Sequence, residues 1–364
     1  MQSTLAPTER SVILAGDIGG TSARLALFEW SAGWDGNEGD EGNEEFEEDD
    51  GRHARKGLLR TMAEQTYPSR DFDGLAPLIQ AFVAAHPGPI DASCFGVPGP
   101  VQEGHVETPN LPWVIDASAL ASLLRLPSVG LINDLEANAW GIGALDASDF
   151  AILQAGRPGA TGNGAVISAG TGLGQAGLYW DGRMHRPFAS EGGHTDFAPR
   201  DPLEAELLAH VRRRWEHVSY ERIVSGPGIV HIYEFLRDSG RHPEQAVIAA
   251  RMRAGDPAAA IAQAALAGEC PLSRASIALF VSLYGAAAGN LALTLLATGG
   301  VYIGGGIAPK LIAKMREPGF IDAFLGKGRM RALLEAIPVR VILNPNAALL
   351  GAGRYAALRG DSIE

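Results

Sequence analysis

Five short stretches of this chain combine glycines with hydroxyls, carboxylates or an imidazole at spacings that can do chemistry. The first is Gly16-Asp17-Ile18-Gly19-Gly20-Thr21, which is neither G-x-G-x-x-G nor a Walker pattern. Its glycines free backbone N–H groups to face an anion, because no side chain blocks approach. Thr21 adds a hydroxyl donor. Asp17 is the odd member: a carboxylate repels phosphate unless a cation lies between, which points to Mg2+ held through water. An ordinary hairpin turn is the competing reading. The second stretch, Ser168-Ala169-Gly170-Thr171-Gly172-Leu173-Gly174, repeats the recipe, with Gly170, Thr171 and Gly172 as candidate phosphate contacts. Two such loops in different domains could grip a phosphate chain across a cleft.

Asn133-Asp134 ends a run of apolar residues that reads as a buried strand. Sites in open α/β sheets gather at the carboxyl ends of strands. There Asp134 can act as general base while Asn133 orients a hydroxyl; a helix N-cap is the alternative. Glu191-Gly192-Gly193-His194 sets an acid and an imidazole three apart, able to face one ligand. A metal site would need a third ligand, and none stands at suitable spacing. Gly299-Gly300-Val301-Tyr302-Ile303-Gly304-Gly305-Gly306 is a strand bracketed by glycines. Gly304 and Gly305 could admit a flat adenine against backbone, or they could serve strand–helix packing. Glu221 carries no signal of its own and reads as a surface helix charge.

Stepwise along the chain, residues 11–15 and 23–28 predict two strands joined by the first glycine turn, a hairpin. Residues 73–86 place Leu75, Leu78, Ile79, Phe82 and Val83 at helical spacing. A strand at 92–97, a helix at 117–126, a strand at 129–132 and a helix at 136–144 follow, the alternation of an α/β domain. Strands at 164–168 and 175–180 flank the second glycine turn, and Asp181-Gly182 leads into a further extended run at 183–188. Asp201-Pro202 and Asp256-Pro257 are helix starts, with Gly268 a stop for the second. Late strands are predicted at 301–303 and 339–343, and a final helix at 347–358 that returns to pack on the first domain. Residues 275–309 carry no charge. Interrupting glycines favour a buried helix followed by a buried strand over a membrane span.

The chain has 364 residues, 46% of them hydrophobic, enough for about two domains with real cores. Its net charge of −12 argues against nucleic acid as the main partner. Residues 35–50 carry ten acids and no base, so the rest of the chain holds only −2. That acidic segment reads as a surface hairpin loop without order of its own, dispensable to the fold. With only Cys94 and Cys270 there is no disulfide framework, and the thiols suit a reducing cytosol. No secretion signal is visible.

As a set, these stretches resemble the bacterial glucokinases. Residues 16–25 resemble their first phosphate loop, 168–174 the second, and 299–306 the adenosine motif. Asn133-Asp134, Glu191-Gly192-Gly193-His194 and residues 219–228 resemble the sugar-site segments. The resemblance runs in family order over nearly the whole chain. It implies a two-domain actin-like, ribonuclease H-like ATPase fold with an interdomain cleft. The small α/β domain would comprise 1–144 and 344–364, the large one 145–343. It also implies transfer of the ATP γ-phosphoryl to the glucose 6-hydroxyl, with Mg2+, in a cytoplasmic homodimer. By the match, Asp134 is the general base, and Asn133, Glu191, His194 and Glu221 are sugar ligands. The implied nucleotide contacts are residues 16–21, Gly170, Thr171, Gly172, Gly304 and Gly305. Ser22 departs from the asparagine common there. The zinc-binding cysteine cluster of the repressor-and-kinase branch is absent, and no helix-turn-helix precedes residue 11, which argues against a sugar-responsive repressor.

Overall fold

The computed structural model describes residues 10–31, 58–108 and 111–360. The acidic segment 35–50 lies outside them. The chain forms two compact units: Met1–Asp146 with Asp181–Pro187 and Asn346–Glu364, and Ala147–Trp180 with Phe188–Pro345.

The first unit is built on β1 (Arg10–Ile18), β2 (Ser22–Ser31), β3 (Leu58–Pro68), β4 (Ala92–Val97) and β7 (Gly130–Asn133), in the order β3-β2-β1-β4-β7. The strands β5 (His105–Glu107) and β6 (Val114–Asp116) form a separate hairpin. The β1–β2 pair is antiparallel, whereas β1–β4 and β4–β7 are parallel. Period-two alternation along a strand explains why both sheet faces are buried. On β2, Ala23, Leu25 and Leu27 enter one core with residues of α1 (Leu75–Ala85) and α2 (Ala117–Leu124). Ala26, Phe28 and Trp30 enter another with α3 (Asp134–Gly141) and the C-terminal helix Ala347–Gly360. The returning terminal helix is thus part of this unit, as its sequence suggested. The Asp116 side chain caps α2 through the N–H groups of Ser118 and Ala119.

The second unit is built on a six-stranded sheet of β8 (Phe150–Gln154), β9 (Gly164–Ala169), β10 (Leu173–Trp180), β11 (His185–Ser190, of which only Phe188–Ser190 count with this unit), β12 (Gly300–Gly304) and β13 (Val339–Ile342), in the order β11-β10-β9-β12-β13-β8. Its helices are α4 (Pro202–Val211), α5 (Gly226–Asp238), α6 (Ala246–Ala254), α7 (Pro257–Leu266), α8 (Pro271–Leu295), α9 (Ile312–Met315), α10 (Pro318–Leu325) and α11 (Arg331–Glu335). Asp201 and Asp256 cap α4 and α7, each with Pro at the first turn. Gly268, just past α7, adopts φ +72°.

Among the described residues α8 is long and apolar enough to cross a membrane by length and composition. Its Phe280, Tyr284, Ala288 and Ala292 are instead buried in the core of this unit, and β12 follows it. The uncharged run is a core helix and a core strand, as expected. The Tyr284 hydroxyl accepts the Ala169 N–H at 3.0 Å and donates toward Ile167 O at 3.1 Å and Gly304 O at 3.3 Å. It therefore pins the ends of β9 and β12, within two of the glycine stretches.

Candidate active site

The first glycine stretch is the turn between β1 and β2. Gly16 and Ile18 still belong to β1: Ile18 is buried in the sheet's core, and a Cβ on Gly16 would stand 2.4 Å from the Phe95 ring. What they can offer a ligand is backbone alone. In the turn itself, Gly19 N–H donates to Ser22 O at 2.9 Å. The fully buried Ser69 holds the other side, donating from Oγ to Gly19 O at 2.7 Å and from its N–H to Thr21 O at 3.0 Å. Two loop carbonyls are thereby committed inward, while Thr21 stays exposed. Nothing in the sequence marked Ser69, because it lies some fifty residues away in a one-turn 3-10 helix. Asp17 is half-buried opposite Arg24 on β2. Burial pushes its carboxyl up, and the Arg24 guanidinium partly offsets this. Arg24 also donates to Asn346.

Asn133 and Asp134 stand where β7 passes into α3. The helix cap is Asn133, whose Oδ1 accepts the Leu135 N–H at 2.9 Å while its Nδ2 donates to Gly99 O at 3.2 Å. Asp134 is the first helical residue, half-buried, with Oδ1 accepting the Leu135 N–H at 2.8 Å. The capping alternative weighed for Asp134 thus belongs to its neighbour.

The second glycine stretch is the turn between β9 and β10. Gly170 N–H donates to Gly172 O at 2.8 Å, and Gly170 O accepts the Gly226 N–H at 2.8 Å. Leu173 N–H donates to Glu221 Oε2 at 2.9 Å. This corrects the reading of Glu221 as a surface helix charge. It sits in a one-turn 3-10 helix, Tyr220–Arg222, half-buried against the glycine turn. The sequence held no clue, since 48 residues separate the partners.

Glu191 precedes another 3-10 turn, Gly192–His194, which His194 ends, and both are exposed, with His194 Nε2 and Glu191 Oε2 3.9 Å apart. The two 3-10 turns are stitched together by Tyr220 N–H to Thr195 O at 3.0 Å, and Thr195 Oγ1 donates to Gly192 O at 2.8 Å. Behind them Asn290 donates to the Tyr220 hydroxyl at 2.7 Å and accepts from Lys327 Nζ at 2.6 Å. Burial lowers the Lys327 ammonium to about 8.

A cavity of about 600 Å³ opens beside the second glycine turn. Gly170, Thr171 and Gly306 edge it, and Ile229, Ala262 and Leu311 give it apolar walls. Lys310 stands at its rim. Gly304 and Gly305 shape this region without lining the cavity. Gly305 adopts φ +80°, and a Cβ there would lie 2.3 Å from Ala169 O, so only glycine lets the end of β12 meet the turn. The walls from α5 and α7 were missed in the sequence, where Asp256-Pro257 signalled only a helix start. A cavity of this size, with apolar walls and with Thr171 and Lys310 at its edge, suits a nucleoside with its phosphates. Among the described residues no three His, Cys, Asp or Glu side chains gather as a metal cage.

Comparison with known proteins places these observations in a family. Residues 14–359 match a family model described as Glucokinase. A glucokinase of Trichormus variabilis is 42% identical over 95% of this chain and 99% of its own length. Among solved structures, a glucokinase from an Antarctic psychrotroph superposes with a TM-score of 0.79 at 31% identity, covering 96% of this chain and all of that one. A ROK-family glucokinase from Streptomyces griseus, solved in complex with glucose and AMPPNP, shares the fold at a TM-score of 0.60, 20% identity and 96% coverage of this chain and all of its own.

Proposed function

The chain belongs to the glucokinase family, and from that premise we propose which of its residues carry the reaction. Its mixed sheets are the actin-like ATPase fold, and it is an ATP-dependent hexose kinase. The reaction is transfer of the ATP γ-phosphoryl to the 6-hydroxyl of D-glucose, giving glucose 6-phosphate and ADP.

The observation that carries the residue assignment is the cavity edged by Gly170 and Thr171, which receives the nucleoside and leads its phosphates to the second glycine turn. N–H groups of that turn and of residues 16–21 stabilise the phosphate charge. Asn133, Glu191, His194 and Glu221 hold the sugar hydroxyls, since carboxylates and amides satisfy several hydroxyls and reject an epimer whose hydroxyl points elsewhere. Asp134 accepts the 6-hydroxyl proton as that oxygen attacks the γ-phosphorus in line. The bond from phosphorus to the β,γ-bridging oxygen breaks, and ADP leaves.

The donor set at the first turn fits Mg2+ carried on the nucleotide with its own waters. Asp17 is a single carboxylate that burial leaves poorly solvated, so a cation nearby would favour its charged form. When bound, Mg2+ neutralises charge on the β- and γ-phosphates. A cytosolic homodimer completes the reading, which sedimentation velocity tests.

The direct test is sugar-dependent ADP formation with MgATP across glucose, mannose, fructose, galactose and N-acetylglucosamine. Glucose is expected to give the highest kcat/KM. Asp134→Asn is expected to lower kcat about 10²–10⁴-fold, with the dissociation constant for glucose little changed. Near-normal turnover in that variant removes Asp134 from the base role.

A further inference from the structure

We propose that Glu221 is shared between the two substrates: one carboxylate oxygen builds the phosphate loop and the remainder of the group receives the sugar. Sugar and nucleotide binding are thereby coupled through a single side chain. The inference rests on the sugar-site assignment above, but its core is geometric. Glu221 Oε2 accepts the Leu173 N–H at 2.9 Å, and among the described residues Oε1 makes no hydrogen bond. The carboxylate lies against the bare Cα of Gly172, where a Cβ would stand 2.4 Å from Oε2. The loop has been left without a side chain where Glu221 enters it.

Leu173 is also closely packed at its carbonyl. A Cβ on Gly193 would lie 1.8 Å from Leu173 O, so the Glu191-to-His194 turn backs directly onto that carbonyl. The segment carrying Glu221 grips the loop a second time, through Gly226 N–H to Gly170 O at 2.8 Å. Ser225 stiffens this segment, donating to Glu221 O at 2.7 Å and accepting the Gly228 N–H at 3.1 Å to cap α5. The groups that would bind sugar are therefore the mould of the turn that would bind phosphate. A sugar hydroxyl donating to Glu221 holds the carboxylate in the place where it orders Leu173. Linkage then requires that each ligand raise the affinity for the other by the same factor.

The test measures AMPPNP binding by calorimetry with no sugar present, so its outcome does not depend on which sugar the enzyme phosphorylates. Glu221→Ala should weaken AMPPNP about tenfold, the range for a hydrogen bond to a charged acceptor. Glu221→Gln keeps an oxygen for the Leu173 N–H. It should bind AMPPNP within about twofold of the parent while losing affinity for glucose. Equal AMPPNP affinity in the parent and Glu221→Ala would overturn the proposal, as would equally weak binding by the Ala and Gln variants. Gly172→Ala supplies the reciprocal arm, because its methyl displaces Oε2. Glucose affinity measured without nucleotide should fall in this phosphate-loop variant, and an unchanged value would also overturn the proposal. Loss of sugar phosphorylation in the parent enzyme would count against the assigned reaction and leave these binding outcomes standing.

Discussion

The two glycine turns are written alike in sequence and supported differently in space. Both join antiparallel strands, and both place a threonine among glycines. The turn at 16–21 is braced from behind by one buried serine, with an arginine beside its carboxylate. The turn at 169–174 is enclosed by Glu221, Gly193 and Gly226, and anchored beneath by Tyr284. The contrast teaches that a phosphate-binding turn is defined by what packs behind it. The first is a local hairpin with a single strut. The second is a meeting point of three distant segments, so perturbing any of them reaches the substrate.

Breaking the enclosed turn should cost most. Gly193→Ala forces a methyl into a space 1.8 Å from Leu173 O, and the displaced peptide should lower kcat/KM about 100-fold, the scale for a misplacement near 1 Å. Gly19→Ala in the open turn meets only Ser22 O, at 2.9 Å, and should lose less. Equal losses in steady-state assays would erase the distinction. Tyr284→Phe leaves the buried Ala169 N–H without an acceptor and should lower unfolding free energy by about 1–3 kcal/mol in urea titrations, with KM for ATP rising. Ser69→Ala removes one strut from the first turn, and a loss of about 1 kcal/mol is expected by the same measurement.

A pH dependence arises behind the second turn's partners. Lys327 titrates near 10.5 when unfolded and at about 8 in the folded protein, mainly through burial. Between those values the folded state has released a proton that the unfolded chain still holds. Stability should therefore rise with pH across this window, and this group should contribute no slope well below it. Lys327→Met should abolish that slope. A slope unchanged in the variant would assign it to another group.

Legibility followed the range of the interactions. The strand at 92–97 and the caps at Asp201 and Asp256 were readable because apolar runs and capping pairs are local. The long strand β3 was not, since it is an edge strand whose mostly exposed residues include Arg60, Glu64 and Gln65. It shows no clean alternation, and charged edges are how sheets avoid further pairing. The position of Asn133 and Asp134 was legible because a strand end running into a helix start is a local pattern. Glu221 was misread because a lone acid beside an arginine looks the same whether it faces water or a peptide N–H.

The sequence by itself determined where the turns, caps and core strands form, because those depend on residues a few positions apart and on backbone freedom at glycine. It also determined the family, since many weak stretches in a fixed order are jointly specific. Only the tertiary structure decided what stands behind each turn: Ser69 behind the first, and Glu221, Gly193 and Tyr284 around the second. These partners lie 20 to more than 100 residues away along the chain. No local pattern selects them. They are brought together when the strands pair and the helices bury their apolar faces, and a hydrogen bond between them forms only after that burial has brought donor and acceptor together.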